Sequence, residues 1–120
     1  MKYLLLIHHV EESEIDEGLR VQLLNESVQL CHELNKNGQY VDAAPLHPSS
    51  ETISVQVRDG KRLVTDGPFA ETREQIGGYF MVEARNMEEA VEIAGRLPSA
   101  RIGTVEVRPV RVVEGLPDLK

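Results

Sequence analysis

Two groups of side chains in this sequence could move a proton or hold an anion. One is the set of histidines at the ends of elements. The other lies in a stretch punctuated by glycine and proline, TDGPFAETREQIGGYF, from Thr65 to Phe80. Asp66 ends a strand in that stretch, and a carboxylate within reach of a histidine can pass protons near neutral pH. Arg73 offers a guanidinium fork for an anionic ligand group. His8 and His9 are adjacent on a strand, so one faces a helix-covered side and the other faces away, and they cannot chelate one ion together. His47 sits before Pro48 in a turn, and loop residues on a rigid scaffold often carry function. Tyr79 and Arg108, expected on neighbouring strands, would line the wall of the pocket. Asp66 is thus the candidate catalytic residue. His8, His9, His47, Arg73, Tyr79 and Arg108 are the candidate ligand-binding residues.

Other chemistries lack their residues. Cys31 and His32 are neighbours on a helix, so they diverge by about 100° and cannot act as a nucleophile and base. Neither GxxxxGK[ST] nor GxGxxG occurs, and no Gly-x-Ser-x-Gly elbow is present. With four histidines, one cysteine and no HExxH, neither a metal site nor a cofactor is expected. The same Thr65–Phe80 stretch also has a purely structural reading. Asp66-Gly67-Pro68 is turn chemistry, and Thr72-Arg73-Glu74-Gln75 has the capping-box spacing that starts a helical turn. Gly77-Gly78 permits close backbone approach or a bulge before the next strand. Phe69 would plug the core, while Glu71, Arg73 and Glu74 would pair with neighbours.

The elements that must position these groups are read from hydrophobic period. Residues 2–9 (KYLLLIHH) form a short apolar run with two apolar faces, the mark of a strand covered on both sides. Over residues 14–37 the period changes: Ile15, Leu19, Leu23, Leu30 and Leu34 make a helical stripe, widened by Leu24, Val28 and Cys31. Lys36 and Asn37-Gly38 end it. Strands follow at Gln39–Leu46 and Thr52–Arg58, the latter alternating cleanly, with an Asp59-Gly60 hairpin turn into Arg62–Thr65. GYFMVEA, ending at Ala84, is the next strand. Asn86 caps a second helix whose stripe is Met87, Ala90, Val91, Ala94 and Leu97, stopped by Pro98, and Glu89 can bond back to the cap amide. Thr104–Val110 closes the order, with Pro109 marking an edge. Without its hairpin insert, this α+β order is the β-α-β-β-α-β of the ferredoxin-like fold, with two helices on one face of an antiparallel sheet. The second apolar face of the first strand then calls for a homodimer packed sheet to sheet, the alternative being that the hairpin folds over that face.

Composition bounds the partners. At 120 residues, with 41% hydrophobic and 28% charged residues, the chain reads as a single globular domain over 1–120. Its net charge of -7 argues against direct contact with nucleic acid. The lone cysteine, the short apolar run at the start and the absence of any membrane-length apolar stretch point to the cytoplasm and to no membrane.

The segment VTDGPFAETREQIGGYFMVEA resembles the signature of DGPF-type proteins, a branch of the YCII-related family within the dimeric α+β barrel group. MKYLLLI, ISVQVRDGKRLVTDGPF and GTVEVRPV are similar as well, so the resemblance covers nearly the whole chain. It implies a ferredoxin-like fold and a homodimer in which two sheets form a barrel. It leaves activity open: some members are proposed as enzymes and others are linked to extracytoplasmic-function sigma factors. One branch is noted for a His–Asp pair with the His on the first helix. Here Ser27, not His32, stands nearest that position, so only Asp66 carries over. The expected function is a small-molecule-binding protein or enzyme with a pocket near the DGPF motif. The alternative is a non-catalytic regulatory module associated with sigma-factor-dependent transcription.

Overall fold

The computed structural model describes residues 1–70 and 72–118; Glu71, expected to pair with neighbours, lies outside the described residues. The strand β1 (Lys2–His9) buries Tyr3, Leu5 and Ile7 on one face, and Leu4 and Leu6 sit half-buried on the other. A 3-10 turn at Glu12–Glu14 leads to α1 (Glu17–Lys36), which Asp16 caps by accepting from the Leu19 amide. Then come β2 (Tyr40–Pro45), β3 (Ile53–Arg58), β4 (Lys61–Asp66), β5 (Gln75–Glu83), α2 (Met87–Arg96) and β6 (Thr104–Pro109). Four strands make one antiparallel-paired sheet in the order β2-β5-β1-β6, the ferredoxin-like arrangement, and β3 and β4 make a separate sheet of two. Pro109 lies on β6, an edge strand, where a missing amide costs no ladder bond.

One face of the large sheet forms the core with both helices. Tyr3, Leu5, Ile7, Phe80 and Val82 pack with Leu30 and Leu34 of α1 and with Ala90, Ile93, Ala94 and Leu97. Asn86 caps α2 at the Glu89 amide (2.9 Å). The Glu89 carboxylate bonds back one residue earlier than expected, to the Arg85 amide and guanidinium. The buried stripe of α2 also differs from expectation. Met87 and Val91 are exposed and Ile93 is buried, because Ala90, Ile93, Ala94 and Leu97 are the positions that share one face at 100° per residue. In α1 only Leu23, Leu30 and Leu34 are buried, whereas Leu19, Leu24 and Val28 are exposed: before Leu30 the helix is seated through Leu23 alone.

The motif stretch differs from its reading in two places, while its glycine pair does form the expected bulge, inside the strand and not before it. Thr72–Gln75 forms no helical turn; Gln75 opens β5 opposite His9, and its side-chain amide donates back to the Thr72 carbonyl at 2.6 Å. Phe69 is 86% exposed and plugs nothing. The glycine pair lies inside β5, where the register with β1 jumps from Ile7↔Gly78 to His8↔Ile76, so Gly77 is the extra residue of a bulge.

The hairpin does not fold over β1. Every residue of β4, and all of β3 except Ser54, is exposed. Asp59 and Gly60 take positive φ (52° and 72°), the turn that joins two strands through two residues. At its base the hairpin is held by the Gly67 amide on the Thr52 carbonyl and by Ser54 Oγ on the Gly67 carbonyl. The radius of gyration is 16.1 Å, against about 13.5 Å for a compact chain of this length. The hairpin stands off as an arm.

Candidate functional site

The loosely seated stretch of α1 around Leu24 and Val28 roofs a cleft. Its floor is made where β2 and β5 present Ala43 and Gly78 on the helix side, with Gly77 in the bulge beside them, so little side-chain bulk rises there to meet the helix. Gly78 has to be small, since a Cβ there would fall 2.8 Å from the Ala44 carbonyl oxygen. Leu23, Leu24 and Val28 hang from α1 above this floor, and Phe80 and Ile102 close the sides. The volume is about 480 Å³, within the range of roughly 300–1,000 Å³ common for small-molecule sites. The exposed leucine and valine of α1, anomalous as core residues, are the apolar wall of this space.

Polar groups enter the cleft at few points: His9, Glu12, Arg20, Ser27, Cys31, Tyr40, His47 and Ser99. His9 is held most tightly. Its Nδ1 lies 2.6 Å from the Val10 carbonyl, which can only accept, so Nδ1 carries the hydrogen and, in the neutral ring, Nε2 is the acceptor. The ring occupies the room that Gly77 leaves free: a Cβ on Gly77 would fall 2.6 Å from His9 Cε1 and closer still to Nε2. The bulge and its glycine therefore set the orientation of the histidine. The Ser27 hydroxyl donates to the Leu23 carbonyl (2.9 Å), spending its hydrogen on its own helix. Burial pushes the Cys31 thiol above its ordinary pKa, so it is a weak nucleophile. Desolvation likewise raises Tyr40. Arg20 lines the cleft without an ion pair to any described residue.

Of the residues singled out from sequence, two meet here. His9 and His47 both line the cleft, His47 at its exposed rim with Nδ1 3.3 Å from Glu51. His8 points to the opposite face of the sheet, as adjacent strand positions require, with Nε2 3.2 Å from Glu106. Tyr79 is on that opposite face too, its hydroxyl donating to Asp42 at 2.7 Å, a bond that raises its pKa. Arg108 lies on β6, which is not the neighbour of β5: β1 runs between them, and Tyr79 and Arg108 share the open face of the sheet, away from the cleft. Asp66 ends β4 on the arm, exposed, and forms no hydrogen bond with a described histidine. Arg73 is exposed and pairs with no described acid; Glu74 instead accepts from Thr104 at 3.2 Å. Among the described residues, no three His, Cys, Asp or Glu side chains converge as ion ligands. No helix among them is long and apolar enough to cross a membrane.

Fold and cleft together define a class: a ferredoxin-like α+β chain with an apolar space between its first helix and the sheet. The chain belongs to the family of the YCII-related domain, whose model matches residues 1–114. A similar protein is an uncharacterized one from Rhizobium meliloti (strain 1021), 35% identical over 75 residues. That match takes in 61% of this chain and 60% of the relative, so the chain spans under two thirds of the relative's length.

Proposed function

We propose that the protein binds a small, largely apolar molecule in the cleft beneath α1, with His9 as the group that meets its polar end. The observation that carries this reading is the fixed tautomer of His9 in a space of about 480 Å³. Neutral Nε2 accepts a hydrogen bond from a ligand hydroxyl, and in an enzyme of this design it would accept the proton. Arg20 supplies a positive charge at the same cleft for an acidic ligand group. In this reading Asp66 belongs to the arm and Arg73 to the loop before β5, neither to the cleft, and the wall residues are those of α1, β2 and β5.

The acting species in this reading is a homodimer packed sheet to sheet. Support comes from the open face of the large sheet, where Leu4, Leu6 and Met81 sit together half-buried with no layer of the described residues packed above them. The second reading, a regulatory module for sigma-factor-dependent transcription, draws on the exposed arm; the self-complementarity of that arm, developed below, favours a second copy instead.

The test is a thermal-shift screen of small hydroxy and carboxylic compounds on wild type, Ser27→Phe and His9→Ala. Ser27→Phe fills the cleft. A ligand at 100 times its Kd should stabilise wild type by about 2.7 kcal/mol, less in His9→Ala and not at all in Ser27→Phe. Equal stabilisation of all three would place binding elsewhere.

A further inference from the structure

The β3–β4 arm carries a surface that its own chain leaves unused. A two-stranded hairpin is marginal alone in water, and the outer edges of both strands lack a partner among the described residues. Ile53, Val55, Val57 and Val64 are each more than half exposed. The register Val57↔Arg62, Val55↔Val64 and Ile53↔Asp66 puts these four on one face, together with Arg62 and Asp66.

Hydrogen-bond alternation decides what the free edge of β4 offers. The two-residue turn makes Arg58 and Lys61 the first hydrogen-bonded pair. The Gly67 amide on the Thr52 carbonyl (2.7 Å) keeps the same phase at the other end. Lys61, Leu63 and Thr65 therefore direct their backbone groups at β3, and Arg62, Val64 and Asp66 direct theirs outward. Read along that edge, Arg62-Leu63-Val64-Thr65-Asp66 runs from a cation through a β-branched centre to an anion.

Such a strand complements itself. About a two-fold axis normal to the sheet, directly opposed residues must share a face, so the axis passes through a residue and not between two. Centred on Val64, an antiparallel pair sets Arg62 against Asp66 of the second copy twice over, with the outward amides and carbonyls in register. Centred on Leu63, Asp66 would face Gly60 and its charge would go unmet. The β3 edge offers only Ile53, Val55 and Val57, with no charge to select a register.

We propose that β4 of one copy pairs antiparallel with β4 of a second copy about Val64, giving a four-stranded sheet β3-β4-β4-β3 with one continuous apolar face. The contact is isologous and closed, and it consumes the charged edge of each arm. It leaves the open face of the large sheet free, and it stands independently of the cleft reading. It also accounts for an Asp66 that finds no histidine in its own chain.

The test starts from a Cys31→Ala background, which removes the only cysteine, and adds Val64→Cys or Val55→Cys. Opposed residues in a hydrogen-bonded pair have Cα atoms about 5.5 Å apart, within disulfide reach. Under mild oxidation Val64→Cys should become mostly covalent dimer, and Val55→Cys should cross-link at least about tenfold more slowly. Arg62→Asp or Asp66→Arg alone sets like charges opposite and should slow cross-linking at position 64 roughly tenfold. The combined exchange should restore it. Faster cross-linking at position 55, a rate at position 64 indifferent to the single reversals, or no recovery in a folded double variant would overturn the pairing.

Discussion

Replacing Gly77 with alanine tests how His9 is held. A Cβ at that position would lie 2.6 Å from His9 Cε1, whereas carbon atoms settle at about 3.5–4.0 Å. The ring must retreat by about 1 Å, since the contact is otherwise repulsive, and it cannot do so while Nδ1 stays 2.6 Å from the Val10 carbonyl. Losing that bond costs about 0.5–1.5 kcal/mol. Set against this is the roughly 0.4–1 kcal/mol that Gly→Ala contributes by restricting the unfolded chain. Gly77→Ala in wild type should therefore be near neutral to mildly destabilising. In His9→Ala the clash is gone and the same change should stabilise. Denaturant unfolding of the four variants should give a coupling energy of about 0.5–1.5 kcal/mol, against the scatter of about 0.3–0.5 kcal/mol expected of independent sites. A coupling within that scatter would refute the claim that the missing Cβ positions the ring. Nitrogen NMR of the imidazole gives a parallel reading: wild type should show the Nδ1–H tautomer and Gly77→Ala should lose it.

Three further outcomes follow from the same geometry. Gly103→Ala cannot relax as a side chain does, because its Cβ would press on the backbone carbonyl of His8 (3.1 Å from its carbon and closer to its oxygen). Denaturant unfolding should show a loss of about 3 kcal/mol. Asn86→Ala removes the cap on the Glu89 amide and should cost about 1 kcal/mol in the same assay. The Glu83 carboxyl is held below the ordinary glutamate range, first by its hydrogen bond to Lys2 and then by the N-terminal ammonium. A depressed folded pKa contributes stability that is present above the unfolded glutamate value and is lost as pH falls through the folded one. Melting temperature measured from about pH 6 down to pH 3 should thus fall less steeply in Glu83→Gln than in wild type.

Much of the fold was legible because local pattern and tertiary packing agree. Tyr3, Leu5 and Ile7 alternate in sequence and are buried together, Asp59-Gly60 makes the turn its residues call for, and Asn86 caps where it stands. The cleft was not legible, for a physical reason. Leu24 and Val28 fit the helical stripe as well as Leu30 does, and what leaves them unburied is the absence of bulk at Ala43, Gly77 and Gly78, residues far away in sequence. The capping-box spacing at Thr72 misled because Gln75 has a stronger alternative, strand pairing with His9. Asp66 drew attention as a lone carboxylate at a strand end, but the arm carries it away from the cleft. His9 was legible from its place at a strand end; how it is held was not, because that depends on the bulge-forming Gly-Gly pair leaving room for its ring.

The claim at the centre of this account is that the space beneath α1 is a binding site. Methyl NMR of the isoleucine, leucine and valine residues, recorded during titration with a library of small apolar hydroxy and carboxylic compounds, tests it most directly. Shifts should concentrate at Ile7, Leu23, Leu24, Val28 and Ile102, which line the cleft. Compounds that bind while leaving those five methyl groups unmoved, and that shift Val55, Val57 or Val64 of the arm instead, would contradict it.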